Sequence, residues 1–336
     1  MNKSIDAIDI AKFFASVLIF AMHCGVLYDY NTISSIPELL ARWGVPFFFI
    51  CSAYFLFRKG QDGKIEKRTI NLYIKRISSL YAVWLVYNIP NVVYMRLYSK
   101  DLSALSTWLF FFKNSILSST FTGSWYLASS VFSAWFVYTL SKKLQTKSIM
   151  GITFIPYLLC VLTSAYKGLL PADIAKILDF FCFPLNIFNG CFYFALGKYI
   201  CENQQTILKK CNTRCALICS IAFYLLFILE LFITKRLNIC SGTDLAFSTV
   251  LLAASIFLFC LQIDIKIKNG LLLRKLSTII YCSQGNVLLV NNVLKNTLKL
   301  SSIDAFLISS FVIAAICAVT LLIQKNKNWK WSRYLT

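Results

Sequence analysis

The chain reads as an all-α protein, a polytopic transmembrane helical bundle of about ten spans with both termini cytoplasmic. Three observations carry that reading. Hydrophobic residues fill 58% of the 336 positions and charged ones only 14%, against roughly 25% charged in a soluble domain, so too few charges exist to cover a water-facing surface. Mean hydropathy is +0.67. Basic residues gather in short loops between apolar runs of membrane-crossing length.

The runs predict spans at 7–27, 38–57, 77–97, 124–141, 148–165, 179–199, 214–234, 245–263, 277–294 and 303–324. The first carries Asp6 and Asp9 at its start and lacks an A-x-A cleavage site, so it is expected to be retained. The basic loops then fall at alternate connections: Lys3 before the first span, Arg58–Arg76 after the second and Lys142–Lys147 after the fourth. Lys198–Arg214 follows the sixth, Lys266–Lys275 the eighth and Lys325–Arg333 the tenth. These segments hold about 23 Lys and Arg against about 9 in the opposite loops, which places them, and both termini, inside. Leu105–Leu117 is aromatic-rich and too short to span, and is expected to be re-entrant or interfacial. No soluble domain, linker or internal repeat stands out, and the whole chain reads as one membrane domain.

The net charge of +20 does not indicate nucleic acid, because no basic face with regularly interleaved aromatics is present. The 13 cysteines are odd in number and sit mostly inside apolar runs, which implies no disulfide framework. Cys211, Cys215 and Cys219 share a helix face, but a metal there needs partners and the single histidine is far away in sequence. No metal site and no bound cofactor are expected.

The first span carries a polar stripe. At roughly 100° per residue, Asp9, Lys12, Ser16 and His23 fall on one helix face. His23 stands about 16 Å above Lys12, at 1.5 Å per residue. Ionisable groups in a span normally face a protein interior or a wet cavity. Two readings of the stripe stay open: a snorkelling Lys12 paired with Asp9 plus a core imidazole, or an imidazole acting as general base.

Asp9-x-x-Lys12 followed eleven residues on by His23 resembles the opening of acyltransferase-3 family membrane proteins. That family reads D-x-x-R and then the same step to a helix-embedded His. Arg42-Trp43-Gly44-Val45-Pro46-Phe47-Phe48-Phe49-Ile50-Cys51-Ser52-Ala53-Tyr54 is similar to its R-x-x-V-P-F-F-F-x-x-S-G-Y. Lys75-Arg76 before the third span, Trp125-Tyr126-Leu127, Asn189-Gly190 to Leu196-Gly197, and Leu276-Ser277-Thr278-Ile279-Ile280-Tyr281 match further, weaker signatures. The membrane part of vancomycin-resistance serine racemases is similar in pattern, although no racemase domain is present in this sequence.

The resemblance implies transfer of an acyl group, usually acetyl, from cytoplasmic acetyl-CoA to a hydroxyl of a cell-surface or lipid-linked polysaccharide, in the inner (plasma) membrane. The implied partners are the lipid bilayer, acyl-CoA and the glycan acceptor. In such a reaction His23 would be the base. Asp9 and Lys12 would form a pair at the cytoplasmic end, and Lys12 and Arg42 would attract CoA phosphates or hold the thioester carbonyl. Ser52 would support His23 or line the acyl channel, or simply pack as a small residue. Lys75 and Arg76 would add phosphate contacts or merely carry the positive-inside signal. Trp125 and Tyr126 would meet a sugar ring or anchor at the interface, and Gln284 would bond acceptor hydroxyls or a neighbouring helix.

The departures from the family pattern are Lys12 for Arg, which keeps charge but loses the bidentate fork, and Ala53 for Gly. Gly123-Ser124 stands where some members have a His, Phe188 where some have an Arg, and Gln284 where many have a His. These losses leave a rival open, a glycan flippase or export component that kept the fold without the chemistry.

Overall fold

The computed structural model describes residues 5–26, 36–60, 65–98, 100–326 and 329–336. Among these the protein is all-helical, with no strand. In chain order the helices are α1 (Asp6–His23), α2 (Ile36–Ala41), α3 (Gly44–Phe57), α4 (Lys67–Tyr87), α5 (Ile89–Val92), α6 (Leu105–Leu117), α7 (Trp125–Ser141) and α8 (Thr146–Leu162). They continue with α9 (Ala172–Phe180), α10 (Gly190–Glu202), α11 (Gln204–Lys210), α12 (Thr213–Arg236), α13 (Phe247–Gln262), α14 (Gly270–Asn296) and α15 (Ser302–Lys325).

Local chemistry explains most of the boundaries. α1 opens with Asp6 and Asp9 in its first turn, where carboxylates suit the helix dipole. It stops at Gly25, whose φ of 63° supplies the left-handed residue that commonly ends a helix. Asn212 and Ser301 cap α12 and α15 by accepting hydrogen bonds from the backbone of Cys215 and Asp304. Glu230, a carboxylate inside the apolar α12, accepts from the backbone N–H of Phe247 and Ser248 and from the Tyr166 hydroxyl. A charge costly to bury thereby serves the open N-terminus of α13.

Among the described residues three helices are both long and apolar enough to cross a membrane: Ile36–Phe57, counted through its short break, Thr213–Arg236 and Ser302–Lys325. α8 and α13 are apolar but shorter. The other expected spans diverge for definite reasons. α1 carries Asp6, Asp9 and Lys12 within 18 residues. α4 begins ten residues before the expected 77, so that it includes Lys67, Arg68, Lys75 and Arg76. α14 likewise extends back to 270 and takes in Arg274 and Lys275. The expected span 179–199 is broken: α9 ends at Phe180, and α10 starts only at Gly190. Pro184 has no N–H to continue a helix. Asn186 accepts from the Phe188 N–H, and Asn189 donates to the Pro184 carbonyl, so both asparagines hold a turn.

α3 is the centre of the bundle. In the segment 36–57, 61% of the apolar window is buried, against 17% in α12 and 22% in α15, which assigns the last two to the lipid-facing periphery. α3 packs against α10, α13, α1 and α7. Its closest approach is to α10, where a Cβ on Gly197 would lie 2.6 Å from the Ile50 carbonyl oxygen and 2.7 Å from the Ala53 Cβ. α1 packs against α14, and α14 in turn against α15.

Candidate functional site

Four stretches distant in sequence meet at the end of α1. His23 is the last residue of that helix. Arg42 stands in the two-residue break between α2 and α3. Asn189 and Tyr193 come from the start of α10, and Asp244 from the loop before α13. With Trp125 at the start of α7 and Tyr281 of α14, they line a cavity of about 60 Å³ whose remaining walls are apolar, among them Ile19, Val45, Pro46 and Phe49. A space of that size holds a few waters, so a sugar ring enters only with movement of the lining side chains.

The imidazole is surrounded by protein yet exposed on this cavity rather than sealed in the core. Among the described residues no hydrogen bond engages it, and Arg42 and Asp244 are the charges that act on it. Arg42 is held rigidly. Its Nη1 donates to Asp244 Oδ1 at 2.7 Å, and its Nη2 to Glu38 Oε1 at 2.6 Å and to Thr243 Oγ1 at 2.7 Å. Thr243 also bonds Glu38. Only Nε of the guanidinium is buried without a partner. The Tyr193 hydroxyl and the Asn189 Oδ1, both on buried side chains, are unpartnered as well. Among the described residues the arrangement therefore offers an imidazole without a hydrogen-bond partner and two donors, Tyr193 O–H beside Tyr157 and Arg42 Nε–H, around one small space. A base and oxyanion donors of this kind are what acyl transfer to a hydroxyl requires.

The other residues singled out by sequence lie elsewhere. Asp9 is buried, and the i, i+3 pair with Lys12 does not form. Asp9 instead takes a bidentate pair from Arg274, with Nε to Oδ1 at 3.0 Å and Nη2 to Oδ2 at 2.7 Å. The planar guanidinium fork matches a carboxylate better than an ammonium does. Lys12 Nζ sits 5.6 Å from the centroid of the Phe55 ring, while its carbonyl accepts from Ser277 Oγ at 3.0 Å. Ser16 bonds back to the carbonyl of Phe13 in its own helix. The polar stripe thus splits into an inner Asp9–Arg274 and Lys12 group, which meets α14 and α3, and His23 about 16 Å further along. Lys12 and Arg42, expected to act together, stand at opposite ends of α1.

Ser52 does not line the cavity, and its hydroxyl is 3.1 Å from that of Tyr126. Tyr126 is packed among Phe48, Phe49 and Tyr281, so only its neighbour Trp125 reaches the cavity. Lys75 and Arg76 are exposed on α4. Gln284 is fully buried outside the lining, with both amide atoms unpartnered. A Cβ on Gly123 would stand 2.7 Å from its Nε2. Gly123 has a φ of 83°, which a side chain would strain. Two of the departures from the family pattern thus stand side by side, with Gln284 packed against a glycine turn. Ser124 accepts from the Thr120 and Phe121 N–H groups and holds that turn.

Sequence reasoning missed Asp244, Glu38, Thr243 and Tyr193. Asp244 and Glu38 are carboxylates next to apolar spans in a chain poor in acid, and that was the signal available. Tyr193 sits in a run of aromatics that pattern alone does not resolve. Among the described residues no group of three or more His, Cys, Asp or Glu side chains is placed to hold a metal, Cys211, Cys215 and Cys219 included.

A family model for an acyltransferase domain, that of the acyltransferase-3 family, matches residues 5–324. A curated amino-acid racemase of Enterococcus faecalis is 27% identical over 218 residues, covering 62% of this chain and 30% of the racemase. The chain thus corresponds to under a third of that relative's length. No solved structure matches the chain. On the family match over nearly its whole length, the chain belongs to the acyltransferase-3 family.

Proposed function

We propose that this acyltransferase-3 family member is a multi-pass inner-membrane O-acyltransferase. It moves an acyl group, acetyl in the first instance, from cytoplasmic acyl-CoA to a hydroxyl of a cell-surface or lipid-linked polysaccharide. The observation that carries this reading is the cavity in which the single histidine of the chain opens beside two hydrogen-bond donors.

In the proposed reaction the acceptor hydroxyl gives its proton to His23 as its oxygen attacks the thioester carbonyl carbon. The tetrahedral oxyanion accepts hydrogen bonds from Tyr193 O–H and Arg42 Nε–H. Its collapse breaks the C–S bond, and the CoA thiolate leaves with the proton held by the imidazolium. Glu38 and Asp244 are positioning residues that fix the guanidinium. Arg42 then serves the reacting carbonyl, and recognition of CoA phosphates falls to cations at the other end of the bundle, Lys12, Lys75 and Arg76. Trp125, in the cavity wall, offers a face to the acceptor ring.

The test is the ester content of the surface glycan in cells lacking the gene, with and without the wild-type gene restored. Ester lost on deletion and regained on restoration supports the reading. Unchanged ester together with impaired glycan export would replace it with the transporter reading.

A further inference from the structure

α6 buries none of its 13 residues. Leu105, Leu109, Phe112 and Ile116 follow one another at steps of four, three and four, which sets them on one helix face, and they are 56–71% exposed. The neighbouring α9 is similar, burying only Leu178 while exposing Ile174, Ile177 and Phe180. The two helices are clasped together. Lys113 of α6 donates to the Phe180 carbonyl at 2.9 Å, and its ammonium lies over the rings of Phe110 and Phe180 at 4.6 and 4.2 Å. The only charge on α6 is thus drawn against α9, and the outer stripe carries none.

We propose that α6 and α9 form an amphipathic platform embedded in the lipid leaflet at this end of the bundle, with the acyl chains of the bilayer as its partner. Soluble surfaces rarely expose so large an uncharged apolar patch. At 1.5 Å per residue α6 measures about 20 Å, too short to cross a hydrocarbon core of about 30 Å. A membrane protein can bury such a helix by laying it in the interface. The aromatic neighbours suit that depth: Trp108 on α6, whose indole N–H donates to the Leu102 carbonyl at 2.9 Å, and the exposed, stacked pair Tyr94 and Tyr98 just before it. The platform also adjoins the candidate site. The last residue of α6 is tied to the segment after α9, the Leu117 carbonyl accepting from the Ile187 N–H at 2.8 Å, and the chain leads from the two helices to the cavity residues Trp125, Leu185 and Asn189. Lipid contact therefore fixes the position of the two segments that wall the cavity. The proposal needs only a membrane protein and is independent of the acyl-transfer reading.

The experiment is tryptophan quenching on the full chain in phosphatidylcholine nanodiscs, with the acyl chains brominated or not. The Trp108 emission is taken as the difference between wild type and Trp108→Phe, a substitution on a partly exposed ring that keeps the fold. The expected result is loss of that emission in brominated lipid, greater with bromine near the headgroup end of the chain than near the methyl end. Equal emission in brominated and plain lipid overturns the proposal. If the nanodisc mass then shows two copies, a second copy of the chain covers the stripe; if it shows one, the stripe faces water.

Discussion

His23, Arg42 and Tyr193 reach one cavity from three separate segments, and each brings a different capacity. The imidazole accepts a proton, while the guanidinium and the phenol donate hydrogen bonds. Tyr193→Phe removes one donor and leaves the ring stacked near Phe49. Loss of a single oxyanion donor typically costs on the order of 10² to 10³ in turnover, so the variant is expected to lose acyl transfer by about that factor. Its circular dichroism and membrane level should match wild type, and undiminished turnover would remove Tyr193 from the site. His23 was legible in the sequence because it is the only imidazole and shares a face with other polar residues. Tyr193 and Asp244 were not, because a cavity is a property of contacts between distant segments. Asp9 was legible as buried and charged, yet its partner was misread. Spacing on one helix proposes Lys12, and only the packing of α14 against α1 brings in Arg274.

The contact of α3 with α10 depends on small residues. A methyl group at Gly197 meets backbone at 2.6 Å, so α10 must move away from α3. Gly197→Ala is expected to destabilise the protein by about 1–3 kcal/mol through overpacking. The readout is a lower thermal midpoint in detergent, and an unchanged midpoint would contradict the close approach. Most helices were legible within a few residues, because each apolar run is bounded by charges, by a glycine or by a capping side chain. The expected span 179–199 ran through the turn before α10 and left most of α9 out, because hydropathy sums over Phe183-Pro184-Leu185-Asn186 without weighing the missing proline donor. α4 and α14 were read as starting too late, by ten and seven residues, since their basic first turns are as helical as the apolar remainder; the expected 77–97 also ran past the end of α4 at Tyr87.

The whole chain joins a charge gradient to an asymmetric bundle. By their alternation along the sequence the basic loops are expected on the side where α1 begins, and the candidate site lies at the other end of α1. The proposed two-sided reaction needs this polarity, with CoA entering from the basic side. Fusion of a reporter that fluoresces only in the cytoplasm to the C-terminus is expected to give a bright signal, and a periplasm-dependent phosphatase at the same place no activity. The reverse pattern would contradict the orientation. The all-helical class was legible from composition together with the length and spacing of the apolar runs. The number of crossings was not, since three helices meet the length and apolarity of a span and the others depend on neighbours to shelter their charges.

The central claim is that His23 takes the acceptor proton in acyl transfer. The most direct measurement uses inside-out membrane vesicles from cells lacking the native gene and expressing either wild type or His23→Ala at equal levels. Radiolabelled acetyl-CoA is supplied outside, and alkali-labile label on glycan is counted. Label is expected with wild type and only the background of the deletion strain with His23→Ala. Equal labelling by the two proteins would contradict it.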